Sequence, residues 1–274
     1  MPKPRLEIRL LETSQEFRQC ELIQKRVWET LDIGTGVLTI TQKYGGIVIG
    51  TLADGRVAGF LCAFLARYRG RLIHWSHMMA VDARLRDRGC GLRMKLLHRK
   101  IALARGIPSI CWTFDPLQSR NAKLNITRLG AIVEEYVPDC YGHFPSVIEK
   151  GLPSDRFVVN WRIGTARVER RLRGEAPAFD LSLPRVNEAR LNARGFPENR
   201  ALHLTLQDPR LLVEIPSQTD EMRSEALPLA RRWRLEARRI FRRYLAAGYR
   251  VEDFIPPSPA TEGRCFYVLR RQRR

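Results

Sequence analysis

One stretch constrains this chain more than any other. Leu72 to Gly106 reads LIHWSHMMAV, then DARLRDRGCGL, then RMKLLHRKIALARG. Its first part is rich in β-formers and its last part carries apolar residues at helical spacing, which predicts a strand, a tight basic turn and a helix. Ligand chemistry enters at the turn. Gly89 and Gly91 remove Cβ atoms where a ligand would approach the backbone, and Arg86, Arg88 and Arg93 surround the turn with positive charge. Amides at the opening of the next helix have no partners inside it and point toward whatever anion sits there. A diphosphate fits that description.

Spacing chooses among phosphate-binding turns. A Walker loop needs Gly-x-x-x-x-Gly-Lys-Ser/Thr and a dinucleotide fingerprint needs Gly-x-Gly-x-x-Gly; the chain has neither here. It has Arg86-Asp87-Arg88-Gly89-Cys90-Gly91, an Arg-x-x-Gly-x-Gly signature shortly after the strand-ending Val81. This resembles the pyrophosphate loop of the GNAT superfamily, the acyl-CoA-dependent N-acyltransferases, in which Val-x-Pro-x-x-Arg-Gly-x-Gly-x-Gly is common. Ala83 stands in place of the proline and Asp87 in place of the first glycine. An arginine-rich surface turn is the competing reading, and the neighbouring elements separate the two.

Leu6 to Leu11 alternates as a strand, and Thr13 or Ser14 offers an N-cap for a helix over Gln15 to Thr30. Asp32 to Tyr44, rich in glycine and threonine, reads as a loop. Gly46 to Leu52 and Val57 to Tyr68 are strands joined through Asp54-Gly55, a hairpin signal, and Leu72 to Val81 is the next strand. After the helix that Gly106 closes, Ser109 to Phe114 is a strand and Ser119 to Leu129 a helix ended by Gly130. AIVEEYV and RFVVNWRI supply two more strands. The order to Gly164 is βαβββαβαββ, which resembles a GNAT domain with one helix short or absent. The expected fold class is α/β (α+β): a GNAT-like mixed central sheet flanked by helices, followed by a smaller β-α-β-β unit. The expected domains are 1–164 as acyltransferase, 165–199 as a linker or arm rich in Arg, Pro, Ala and Glu, and 200–274 as a C-terminal α/β domain. In the last, Leu202 to Leu206 and Leu211 to Ile215 are expected strands, Leu227 to Ala247 a helix, and Tyr249 to Ile255 and Arg264 to Arg270 strands.

Composition bears on partners and compartment. The formal charge is +19, from 48 Lys and Arg against 29 Asp and Glu, which favours anionic ligands without naming one. The six cysteines form no Cys-x-x-Cys pair, so no metal site is expected and most read as small core residues of a reducing compartment. The charged start MPKPRLEIRLLE is unlike a signal peptide and no apolar run reaches the roughly 18 residues of a membrane span, so the expected location is cytoplasmic. Seven arginines between Arg231 and Arg243 lie mostly on one side of the long helix; they read as a solvated face or as a grip for nucleic acid or a membrane surface.

The resemblance implies where chemistry sits. Met79, Ala80 and Val81 would meet the pantetheine arm through main-chain groups. Arg86, Arg88, Gly89, Cys90, Gly91 and Leu92 would hold the diphosphate, and Asn121 would reach the same cofactor or serve as an ordinary cap. Many family members carry Glu four residues before the strand-ending Val; His77 stands there and can take the amine's proton. Asp115 and Glu134 are alternative bases. The family's frequent acid, a Tyr four residues before the glycine closing the second helix, falls on Ile126, so Tyr136, Tyr141, His143 or water would have to donate. The donor would be acetyl-CoA or another acyl-CoA such as succinyl-CoA, and the acceptor a small-molecule amine, with an amino acid as the default. A nucleic-acid-binding or regulatory protein reusing the fold without catalysis is the alternative; charge does not exclude nucleic acid, which ranks behind the amine. The C-terminal unit is left open as a dimerisation module, giving a homodimer, or a lid.

Overall fold

Local signals set most elements of this chain, and long-range caps and pairings set the rest. The computed structural model describes residues 4–30, 32–85, 87–142, 151–175 and 178–272. Strand β1 (Leu6–Leu10) leads into helix α1 (Ser14–Trp28), opened by a reciprocal capping box: Glu16 N–H donates to Thr13 Oγ1 at 3.2 Å and Thr13 N–H to Glu16 Oε2 at 3.0 Å. Helix α2 (Thr35–Lys43) occupies the stretch expected to be a loop. Glycine and threonine disguise it, because its cap is remote: the Glu21 carboxylate on α1 accepts from both Thr35 N–H and Thr35 Oγ1, placing negative charge at the helix N-terminus.

Strands β2 (Ile47–Ala53) and β3 (Arg56–Tyr68) turn through Asp54 at φ 48° and Gly55 at φ 80°, the left-handed pair a two-residue hairpin requires. Strand β4 (Arg71–Val81), helix α3 (Cys90–Ala104) and strand β5 (Ser109–Phe114) follow. These form the first of two compact units, the chain up to Trp112 with Arg162–Gly164. Its mixed sheet runs β1-β2-β3-β4-β5, antiparallel until the parallel β4–β5 pair. Alternate strand residues feed two cores: Val48, Phe60, Cys62 and Ala80 join Phe17, Ile23 and Leu38 of α1 and α2, while Ile47, Ile49, Leu61 and Ala63 join Met94 of α3.

The second unit begins at Thr113, not at the boundary expected near 164. Helix α4 (Ser119–Ala122) widens into a π turn over Lys123–Arg128, then come β6 (Ile132–Val137), β7 (Arg156–Arg162) and α5 (Ala166–Leu172). The hairpin β8 (Asn187–Leu191) and β9 (Pro197–Leu202), strand β10 (Arg210–Ile215), helices α6 (Thr219–Glu225) and α7 (Leu227–Ala246), and strands β11 (Tyr249–Ile255) and β12 (Cys265–Arg271) complete it. Residues 165–199 therefore carry structure where a linker was expected, and the strand expected at Leu202–Leu206 lies earlier, as β9. The sheet order β7-β6-β11-β12-β10 explains the shifted boundary: Val133 of β6 pairs with Val251 of β11, so the strands after Thr113 close on the C-terminal ones. Among the described residues no helix is long and apolar enough to cross a membrane.

The apolar side of α7 places Trp233, Phe241 and Tyr244 in the core, and Phe157, Phe241 and Tyr267 meet edge to face at 4.6–5.5 Å. Beside them lies a buried ion cluster. Asp115 accepts two hydrogen bonds from Arg234, at 2.7 and 2.6 Å, one from Arg223 and one from Leu117 N–H at 2.9 Å. Removing the carboxylate would leave the wholly buried Arg234 without the group that holds both ends of its fork and would take the nearest carboxylate from Arg223. Asp115→Ala is therefore expected to lower stability by about 3–5 kcal/mol, read as a fall in the urea midpoint at unchanged slope.

Candidate functional site

The site of interest is built on β4. Its register with β3 runs Leu61 opposite Met79 and Cys62 opposite Met78, then Ala63 opposite Ser76, so His77 is the extra residue of a β-bulge. On its other edge β4 pairs with β5 only at His74–Ile110 and Trp75–Cys111. From Ser76 to Val81 that edge has no β5 partner among the described residues.

Past Val81 the chain is pinned and then opened. Asp82 N–H donates to Ala58 O at 2.8 Å and the Asp82 carboxylate accepts Arg84 N–H at 3.1 Å, holding the Ala83–Leu85 turn with Leu85 buried beneath it. Arg86 lies outside the described residues. Asp87, at φ 61°, and Gly89, at φ 73°, are left-handed, and Gly89 is the N-cap of α3 with no side-chain cap. Cys90 anchors the first turn by its burial, while Arg88 and Arg93 are exposed. The amides of Cys90, Gly91 and Leu92 are thus those at the open helix end. A Cβ on Gly91 would lie 3.4 Å from Met79 Cε, so the helix start and the free edge of β4 converge at this pair.

His77, which the bulge carries, donates Nε2–H to Asp32 Oδ2 at 2.8 Å, and its ring lies 5.4 Å from that of Phe64. Asp32 is the partner that sequence reasoning missed, since the two are 45 positions apart. Deeper in, Lys95 of α3 is 3% exposed; its Nζ donates to Ser76 Oγ at 3.0 Å and sits 3.7 Å from the centre of the Trp112 ring. Ser76 and Trp112 are the residues immediately after the last β4–β5 pair, so this amine fills the point where the strands part. Burial alone brings its ammonium down to about 7. Next to it, His74 Nε2–H donates to Gly45 O at 3.1 Å, which leaves His74 Nδ1 to accept from His98 Nε2–H at 3.1 Å. Burial lowers both imidazoles, and Lys95 lowers His98 further.

The remaining expected residues belong to the second unit. Against the upward push of burial, Arg234 and Arg223 hold the Asp115 carboxyl well below the usual range, so this group is committed to its ion cluster and does not serve as a base. Tyr136 gives its hydroxyl to Asp155, and burial with that carboxylate raises the phenol far above its ordinary value; it is not a poised acid. Ile126 is buried, Asn121 is exposed on α4, and Tyr141 shares a hydrogen bond with Thr113 at 2.9 Å. His143 lies outside the described residues. Among the described residues no three His, Cys, Asp or Glu side chains gather as a metal would need.

No protein-family model and no curated protein matches the chain. Solved structures do. The chain is similar to the acetyltransferase of GNAT family from Streptococcus pneumoniae, at 17% identity over 57% of this chain and 98% of that one, with a TM-score of 0.46. It is similar to the ribosomal-protein-S18-alanine N-acetyltransferase from Escherichia coli, at 15% identity over 59% and 96%, TM-score 0.48. It is also similar to Arabidopsis thaliana Naa50 in complex with the bisubstrate analogue CoA-Ac-MVNAL, at 12% identity over 57% and 97%, TM-score 0.47.

Lys95 yields a pH test. Its amine binds a proton near 10.5 in the unfolded chain and near 7 in the folded one, so between those values the unfolded state holds more protons and stability rises with pH. Urea unfolding is expected to show wild type gaining about 1 kcal/mol per pH unit from pH 7 to 9 relative to Lys95→Met, which should also be the more stable protein at pH 7.

Proposed function

We propose that this chain is an acyl-CoA-dependent N-acyltransferase that moves an acetyl group, or another short acyl group such as succinyl, onto the primary amine of an amino acid or similar small molecule. One observation carries the reading: a strand edge with no β5 partner among the described residues, Ser76 to Val81, converges at Met79 and Gly91 with the open amides of α3. A nucleotide thioester has a diphosphate at one end and an amide-rich arm at the other, and such a surface complements both.

In this reading the Cys90–Leu92 amides and the exposed Arg88 and Arg93 hold the diphosphate. Main-chain groups of Met79, Ala80 and Val81 align the arm, and an amide of the same edge polarises the thioester oxygen as charge develops on it. His77 accepts the proton of the attacking amine at Nδ1, since Nε2–H is donated to Asp32. Asp32 orients the ring and stabilises the imidazolium. The amine nitrogen bonds to the acyl carbon, the carbon–sulfur bond breaks, and the thiolate leaves as the thiol with a proton from water, to which the imidazolium returns the proton it took from the amine. A dicarboxylic acyl chain and an acidic acceptor are both served by the +19 charge.

Two substitutions test the parts separately. Gly91→Val should weaken acyl-CoA binding at least tenfold in calorimetry with the melting temperature nearly unchanged; undiminished affinity would remove the turn from the account. His77→Gln should keep coenzyme affinity and lower kcat by about 10²–10⁴ on whichever amine is a substrate, with Asp32→Asn in between. A mass spectrum of the coenzyme that co-purifies names the acyl group.

A further inference from the structure

The second unit carries an arginine row that its fold neutralises only in part. Arg210 on β10 stands directly opposite Arg270 on β12, and Arg270 directly opposite Arg250 on β11. Like charges in opposed positions weaken a sheet. Arg271 adds a fourth cation, and with Gln207, Glu252 and Gln272 these four line a cavity of about 840 Å³.

The acids present do not balance them. Glu252 is shared between Arg250 at 2.9 Å and Arg270 at 3.2 Å, and Asp180 reaches Arg210 only at 3.8 Å. Arg271 reaches a carbonyl, Gln207 O, at 3.4 Å, and the buried Nε of Arg250 has no partner among the described residues. Arg210 and Arg270 keep half their side-chain surface in solvent. The contrast lies on α7, where Arg232, Arg234 and Arg238 are tied to Glu198 and Glu236, Asp115, and Asp155. Those three α7 guanidiniums each meet a carboxylate at 2.9 Å or less, whereas the four of the β10–β12–β11 row share one glutamate and a distant aspartate.

We propose that this row is a binding site for a small polyanion bearing two or more linked phosphoryl groups, built on residues unrelated to the Gly89–Leu92 turn. Opposed strand positions are about 5 Å apart, so the row spans about 10 Å, the reach of a linear di- or triphosphate rather than of a single oxyanion. Guanidinium forks bind phosphoryl oxygens in pairs and keep their charge at every accessible pH. The cavity lies within the usual volume for small-ligand sites, and the residues that line it include no aromatic ring for a base to stack on.

Inorganic tripolyphosphate is the probe, titrated by calorimetry and thermal shift at about 0.15 M salt, where weak surface attraction is screened. Wild type should bind it saturably at one site and gain about 5 °C in melting temperature at a hundredfold excess over Kd. R210Q/R270Q should lose at least tenfold in affinity without a lower melting temperature of its own, and R271Q severalfold. R231Q/R242Q, which removes the same charge from exposed positions of α7, should stay within twofold, and Gly91→Val should still bind. Absence of saturable binding, equal losses in both double variants, or loss in Gly91→Val would each overturn the proposal. So would a duplex oligonucleotide binding more tightly than tripolyphosphate with the same arginine dependence, since the row would then be part of a nucleic-acid surface.

Discussion

The parting of β4 from β5 after the Trp75–Cys111 pair is the constraint on which the proposed site of the first unit depends. Had the parallel pairing continued, the edge from Ser76 to Val81 would be consumed by hydrogen bonds to a neighbour. Instead the strand carries a bulge at His77 and reaches the α3 turn with no β5 residue paired to that edge. The close approach of Met79 to Gly91 makes the strand end and the helix start one continuous surface. A buried amine, Lys95, stands where the strands part, touching the first residue of each beyond the last pair. A buried ammonium without a carboxylate is costly, and the cost falls when the group gives up its proton near neutrality.

The second unit obeys a different rule, set by its excess of arginine. Asp115, Asp155, Glu214 and Asp253 are buried, and each is gripped by one or more guanidinium groups. A buried carboxylate tolerates burial only with such partners, and Arg supplies a planar fork that satisfies both oxygens. Part of the arginine content is therefore internal architecture. Arg234 is wholly buried and Arg238 half-buried, although both belong to the helix whose arginines read in sequence as one basic face. Other arginines stay outward: Arg231, Arg239 and Arg242 on the same helix, and Arg210 and Arg270 where strands oppose them.

Much of the first unit was legible in the residues. Asp54-Gly55 named its hairpin, Thr13 or Ser14 named the start of α1, and Gly89 and Gly91 named the turn, because each signal acts within a few positions of itself. Helix α2 was hidden because its cap, Glu21, comes from another helix. The Asp32 partner of His77 and the burial of Lys95 were hidden for the same reason. Asp115 and Tyr136 read as candidate acid or base groups only until their neighbours were known: an ionisable residue at a strand end is reactive or spent according to what packs on it, and here both are spent on ion clusters.

By itself the sequence determined the strand–turn–helix that offers amides to an anion, the alternation of elements around it and the overall excess of positive charge. These follow from steric preference, periodicity and counting, which need no partner. Only the tertiary structure decided where β4 leaves β5, which arginines are neutralised and which stand opposed, and which of the titratable residues keep a free proton site. Those are properties of pairs distant in the chain, and a pair has no energy until folding brings its members together.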